Sequence, residues 1–103
     1  MAKASERVEA RTKLLKYDHA MLDELLEITT EWNDLAEGEW ISWLQDWEQV
    51  MLRDVPKLRE YSVAGELTSS QEASYRRLLQ RIEENRELIE RFGLTMPQIP
   101  VET

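Results

Sequence analysis

Asp18 and Asp54 interrupt two apolar helical stripes of this chain, Tyr75 sits at the centre of a third, and His19 adjoins the first of them. These four residues have the side chains to move protons. Two carboxylates and an imidazole at a common level form a general acid/base pair or a weak metal site, because carboxylate pKa values rise when such groups are buried together. Counting about 1.5 Å per residue along antiparallel helices brings the four to similar heights. A structural role competes with the chemical one: the Tyr75 hydroxyl and a nearby arginine satisfy one aspartate, and the other is a half-exposed helix cap. His19 is the single histidine, so a two-histidine metal site is excluded, and the paired Glu-x-x-His segments of di-iron bundles are absent.

Glu24, Glu27 and Glu31 recur at i, i+3 and i+7, a spacing that lines up carboxylates on one helical face and suits magnesium. That face is the outer one. A neighbouring helix would have to complete the site, and Asp46 and Glu48 lack the matching spacing. Neither a Gly-rich phosphate loop nor a Gly-x-Ser-x-Gly elbow nor a zinc signature occurs. Zero cysteines remove disulfides, thiolate metal sites and cysteine nucleophiles together. No catalytic residue, resident metal or cofactor is assigned.

The tryptophans carry more weight. All four, Trp32, Trp40, Trp43 and Trp47, fall in one stretch, which marks either the packing centre or a partner site. On the second reading Trp40, Trp43, Trp47 and Val50 form a partner-binding face. Arg86 joins it at the height of Trp47, stacked on an indole or laid over apolar neighbours with its head in water.

Helical periodicity supplies the elements that would position these residues. Val8, Leu15, Leu22, Leu25, Trp32 and Ala36 predict a first helix from about Ser5 to Ala36, stopped by Gly38. A second is expected from Glu39 to Ala64, closed by Gly65, with an apolar arc of about 200° on a regular helix. Pro56 lacks a donor and crowds the carbonyl of Leu52, so this helix should kink or break between Leu52 and Pro56, with Asp54 capping the second piece. Thr68 and Gln71 match a capping box opening a third helix that runs through Phe92 to Gly93. Short connections make consecutive helices antiparallel. The expected fold is all-α, an up-down-up three-helix bundle over residues 1–94, with a Pro-containing tail over 95–103 that is either flexible or laid in extended form across the bundle through Met96, Ile99 and Val101.

Charge is segregated along the chain. Residues 1–16 carry five basic and two acidic side chains, residues 17–55 carry eleven acidic ones against Arg53 alone, and residues 56–92 balance at seven each. A net charge of -8 without a basic stripe argues against a nucleic-acid partner. With no apolar run near the roughly 20 residues needed to span a bilayer and no secretory leader, the chain reads as a cytoplasmic protein without a membrane partner. An over-wide apolar arc and a basic first helix facing an acidic middle block predict a homodimer. The expected function is a non-enzymatic, helical protein–protein interaction module built on the Trp-rich acidic second helix. Two alternatives stand beside it: an acidic inhibitor that imitates phosphate charge to bind a basic protein, and a small metal-dependent hydrolase with helix-borne carboxylates.

Overall fold

The computed structural model describes residues 2–97, with side chains from Glu6 onward. Helix α1 spans Ala2–Thr30, α2 Glu37–Gln49, α3 Val55–Val63, α4 Ser69–Glu84 and α5 Arg86–Arg91. A π-helical turn over Val50–Asp54 joins α2 to α3, so these three pieces form one rod. Among the described residues there is no strand, and the chain is all-α. The second rod runs back along the first: Trp43 meets Glu24 near the start of α2, and Arg11 meets Glu66 just after α3. Helix α4 returns parallel to α1, with Gln71 against Val8 and Arg81 against Asp23. The result is the up-down-up bundle that short connections demand.

The turns are where local sequence acts most directly. Gly65 and Gly93 adopt φ of +71° and +67°, a backbone region costly for any residue with a Cβ. Each completes a Schellman motif. Glu66 N–H donates to the Tyr61 carbonyl at 2.8 Å, and Leu94 N–H to that of Ile89 at 2.9 Å. The capping box is present in both directions, with the Gln71 amide donating to Thr68 Oγ1 at 3.1 Å and the Thr68 amide to Gln71 Oε1 at 3.0 Å.

Pro56 interrupts the α-helical pattern of the rod within the expected stretch, separating α2 from α3. It is accommodated by the wide turn just before it, in which Val55 N–H donates to the carbonyl of Val50, five residues back. This changes which residues share a face. On a regular helix positions five apart diverge by about 140°, yet Val50 and Val55 are both fully buried. The broad apolar arc expected for an unbroken helix is therefore narrowed by the turn, and Trp43, Trp47, Val50, Met51, Val55 and Leu58 all fit inside one chain. Asp54 is not a cap. Its backbone is helical at φ -68° and ψ -49°, and its side chain makes no capping bond.

Two other boundaries differ from the periodic reading. Helix α1 ends at Thr30 rather than Ala36, where the Thr29 and Thr30 hydroxyls donate back to carbonyls of the preceding turn. A 3-10 turn over Trp32–Asp34 and extended backbone at Leu35 and Ala36 follow. Gly38 thus lies inside the first turn of α2 instead of terminating α1. The third helix is interrupted at Asn85, whose side chain donates to the Arg81 carbonyl at 2.7 Å. After α5, Leu94 is buried and Met96 packs against the core; Ile99 and Val101, expected to extend this contact, lie outside the described residues.

Replacing Thr68 by Ala removes one half of the capping box and should cost about 1 kcal/mol. In urea denaturation the midpoint should fall with an unchanged slope, while Thr68→Ser should stay close to the parent.

Candidate functional site

The four tryptophans divide into two pairs with different surroundings. Trp43 and Trp47 stack at 5.4 Å between ring centroids, their planes 22° apart. Trp47 has no exposed surface, and its Nε1 donates to the Thr95 carbonyl at 2.9 Å, so the segment after α5 closes over it. Trp43 Nε1 donates to Glu24 Oε2 at 3.2 Å. Trp43, Trp47 and Val50, expected on a partner-binding face, are therefore core residues of a single chain. Burying such rings is worth several kcal/mol, more than an interface could regain by exposing them.

Trp40 remains available from that expected face. It is half-buried and lies 5.7 Å from Trp32, which in turn lies 5.3 Å from Phe92. The 3-10 turn, the start of α2 and the end of α5 bring these rings to one corner of the bundle. Glu31, Asp34, Glu37 and Glu39 are all exposed along the segment that carries the two indoles, and among the described residues none has an ion-pair partner. Sequence periodicity assigned Trp32 and Phe92 to helix interiors. What relocates them is the early end of α1 and the break at Asn85.

Arg86 is not part of this corner chemistry and is not stacked on Trp47. The break at Asn85 turns it outward, where it pairs with Glu83 at 2.8 Å and Glu90 at 3.5 Å. The hydrogen bond from Arg86 holds the Glu83 carboxyl below the usual glutamate range.

The polar cluster separates likewise. Asp18, on the inner face of α1, meets Asp54 of the π-helical turn. Burial, and then the hydrogen bond and negative charge of Asp54, push the Asp18 carboxyl up from near 3.8 to about 9. Among the described residues no donor reaches either Asp18 oxygen, and the residue is fully buried. The pair is reconciled only when Asp18 carries a proton and donates it to Asp54, which is half-buried and borders solvent. The acidic field extends outward: desolvation, then Asp46, Asp54, Asp18 and Glu24 in that order, raise the Tyr17 hydroxyl.

His19 faces the other way, toward α4. Arg81 Nη1 lies 3.0 Å from its Nδ1, and its Nε2 lies 3.0 Å from the Ser74 carbonyl. A guanidinium only donates, so Nδ1 accepts and Nε2 carries the hydrogen. Both nitrogens are thus committed. An adjoining cavity of about 310 Å³ is lined by His19, Ser70 and Ser74, but no free imidazole nitrogen points into it as a base. Tyr75 is buried in the core.

Glu24, Glu27 and Glu31 gather no second acidic pair. Glu24 accepts from Trp43, and among the described residues no three His, Asp or Glu side chains are placed to hold one metal ion. No described helix is long and apolar enough to cross a membrane. Comparison of the chain with models of known protein families, with curated proteins and with solved structures finds no match in any of the three.

An aspartate that is protonated in the fold and ionised in the unfolded chain makes folding take up a proton. Its contribution to stability is complete below pH near 3.8 and is lost as the pH rises toward 9. Asp18→Asn keeps a neutral donor facing Asp54. It should be more stable than the parent at pH 8, and the gap between the two should close toward pH 4, at up to about 1.4 kcal/mol per pH unit. Chemical denaturation of both proteins across this range checks the sign; a gap that widens on acidification would refute the assignment.

Proposed function

We propose that the protein is a non-enzymatic interaction module whose binding surface is the aromatic corner of Trp32, Trp40 and Phe92, and that its partner presents an apolar side chain flanked by basic ones. The observation that carries this reading is the coincidence of two half-buried indoles with four exposed carboxylates, none of them ion-paired among the described residues, on a single short segment. Aromatic anchors inside a charged rim are the usual anatomy of a binding hot spot. Acidic residues around the corner draw in a basic partner and set its orientation, while the rings supply the buried area that holds it.

The same features favour binding over turnover. The imidazole is committed at both nitrogens, and the perturbed carboxyl is sealed in the core. A phosphate mimic that acted by charge alone would have no use for half-exposed indoles. Their presence at the two ends of the acidic segment, brought together at one corner, favours an interface with an apolar anchor. Charges then tune the encounter more than the final affinity.

Trp40 and Trp47 provide matched variants. Trp40→Ala should reduce binding of an amphipathic Lys/Leu helical peptide at least tenfold, measured by calorimetry, while lowering stability by less than Trp47→Ala. The latter removes a fully buried ring and should cost about 3–5 kcal/mol. Equal peptide binding by Trp40→Ala and the parent protein would reject the corner as the binding surface.

A further inference from the structure

Near the opposite end of the bundle, α1 and α3 border an open groove of about 490 Å³. It is lined by the apolar surfaces of Ala10, Leu14 and the Tyr61 ring, by the cations Arg7, Arg11 and Lys57, and by one carboxylate, Asp54. Arg11 is fixed in place, its guanidinium carbon 4.1 Å from the Tyr61 ring centroid and its Nη1 donating to the Glu66 carbonyl at 2.9 Å. Arg7 and Lys57 are exposed, and among the described residues neither has an ion-pair partner. In a chain of net charge -8, a groove with three cations against one carboxylate is a local reversal of sign.

We infer that this groove is the receptor for the aromatic corner of a second copy, so that two chains pair side by side and antiparallel. The inference deepens the proposed function and rests on it, by naming the partner of the corner. Each surface has what the other lacks. The corner offers indoles among exposed carboxylates, and the groove offers apolar surface among a majority of cations. Ion pairs alone would not suffice, since exposed pairs contribute little. Apolar contact between ring and groove must supply most of the affinity, with charge selecting the register.

Geometry excludes closure within one chain. Arg11 and Glu31 stand 20 positions apart in sequence, almost all of it helix α1, which places them about 30 Å apart at ~1.5 Å per residue. An antiparallel pair about a two-fold axis satisfies both contacts at once, corner to groove at each end, and it closes without leaving a free patch to propagate a fibre. The molecule's extents of 48 × 35 × 18 Å suit lateral pairing of two elongated bodies whose opposite ends carry opposite charge.

The test is sedimentation equilibrium of the full chain. The parent should dimerise, and raising salt from about 0.05 to about 0.5 M should weaken the dimer at least tenfold. The double variant Arg7→Glu with Lys57→Glu should be a monomer, as should Glu37→Lys with Glu39→Lys; all four positions are exposed, and circular dichroism verifies that each variant folds. Mixed one to one, the two variants should form a heterodimer. One of its contacts keeps both parental surfaces, and the other pairs two reversed ones. A parent that is monomeric at roughly 1 mM, or a dimer untouched by these reversals, would overturn the inference. If the corner still takes up the Lys/Leu peptide in that case, the binding surface stands and only its partner is wrong. If peptide binding is also absent, the proposed function falls with it.

Discussion

A proline in the middle of a long rod with one buried face is the constraint on which the rest of this structure depends. Pro56 has no amide hydrogen to give and no room for its ring beneath the carbonyl four residues before it. The rod answers with one wide turn, Val50–Asp54, in which the hydrogen bond from Val55 reaches back five residues. The extra residue stacks Val50 over Val55 on the inner face and directs Trp43 and Trp47 into the same core. It also carries Asp54 against Asp18. Without that turn the apolar residues of the rod would spread around too much of its circumference for one chain to cover.

The acid pair is the cost of this arrangement. Asp18 occupies a fully buried position on α1, where an aliphatic side chain would pack without any need for a proton. Held neutral, it spans the contact between α1 and the wide turn with a single hydrogen bond. Ionised, it would leave two like charges together in a region of low polarity. Burial and the neighbouring Asp54 carboxylate therefore favour the neutral form of Asp18 in the fold, beside the one point of the rod where the backbone is irregular.

Away from that centre the molecule is organised by charge. The first turns of α1 and Lys57 of α3 are basic, whereas the segment from Glu31 to Glu39 is acidic. Salt bridges tie Arg11, Arg76, Arg77, Arg81 and Arg86 to partners in the same chain. Among the described residues, the groove cations outside that set and the carboxylates of the corner have none. Such segregation gives the molecule a field of opposite sign at its two ends, which orients any charged group that approaches it.

Much of this was legible in the residues. The all-α class, the three rods, the glycine caps at Gly65 and Gly93 and the capping box follow from periods and turn chemistry that act over four or five residues, so local physics suffices for them. The need for an adjustment before Pro56 was equally local, as was the gathering of tryptophans among acids between Glu31 and Trp47. Only tertiary structure decided which tryptophans were spent on the core. That choice turns on the form of the adjustment at Pro56, on the early end of α1 after Thr29 and on the break at Asn85, each of which rotates a ring by a fraction of a turn. The four expected polar partners were sorted in the same way, with Asp18 and Asp54 meeting while His19 turned to Arg81 and Ser74. Periodicity states that a residue lies on a helix face; which neighbour that face meets depends on helix phase, and one extra residue in a turn resets the phase for everything beyond it.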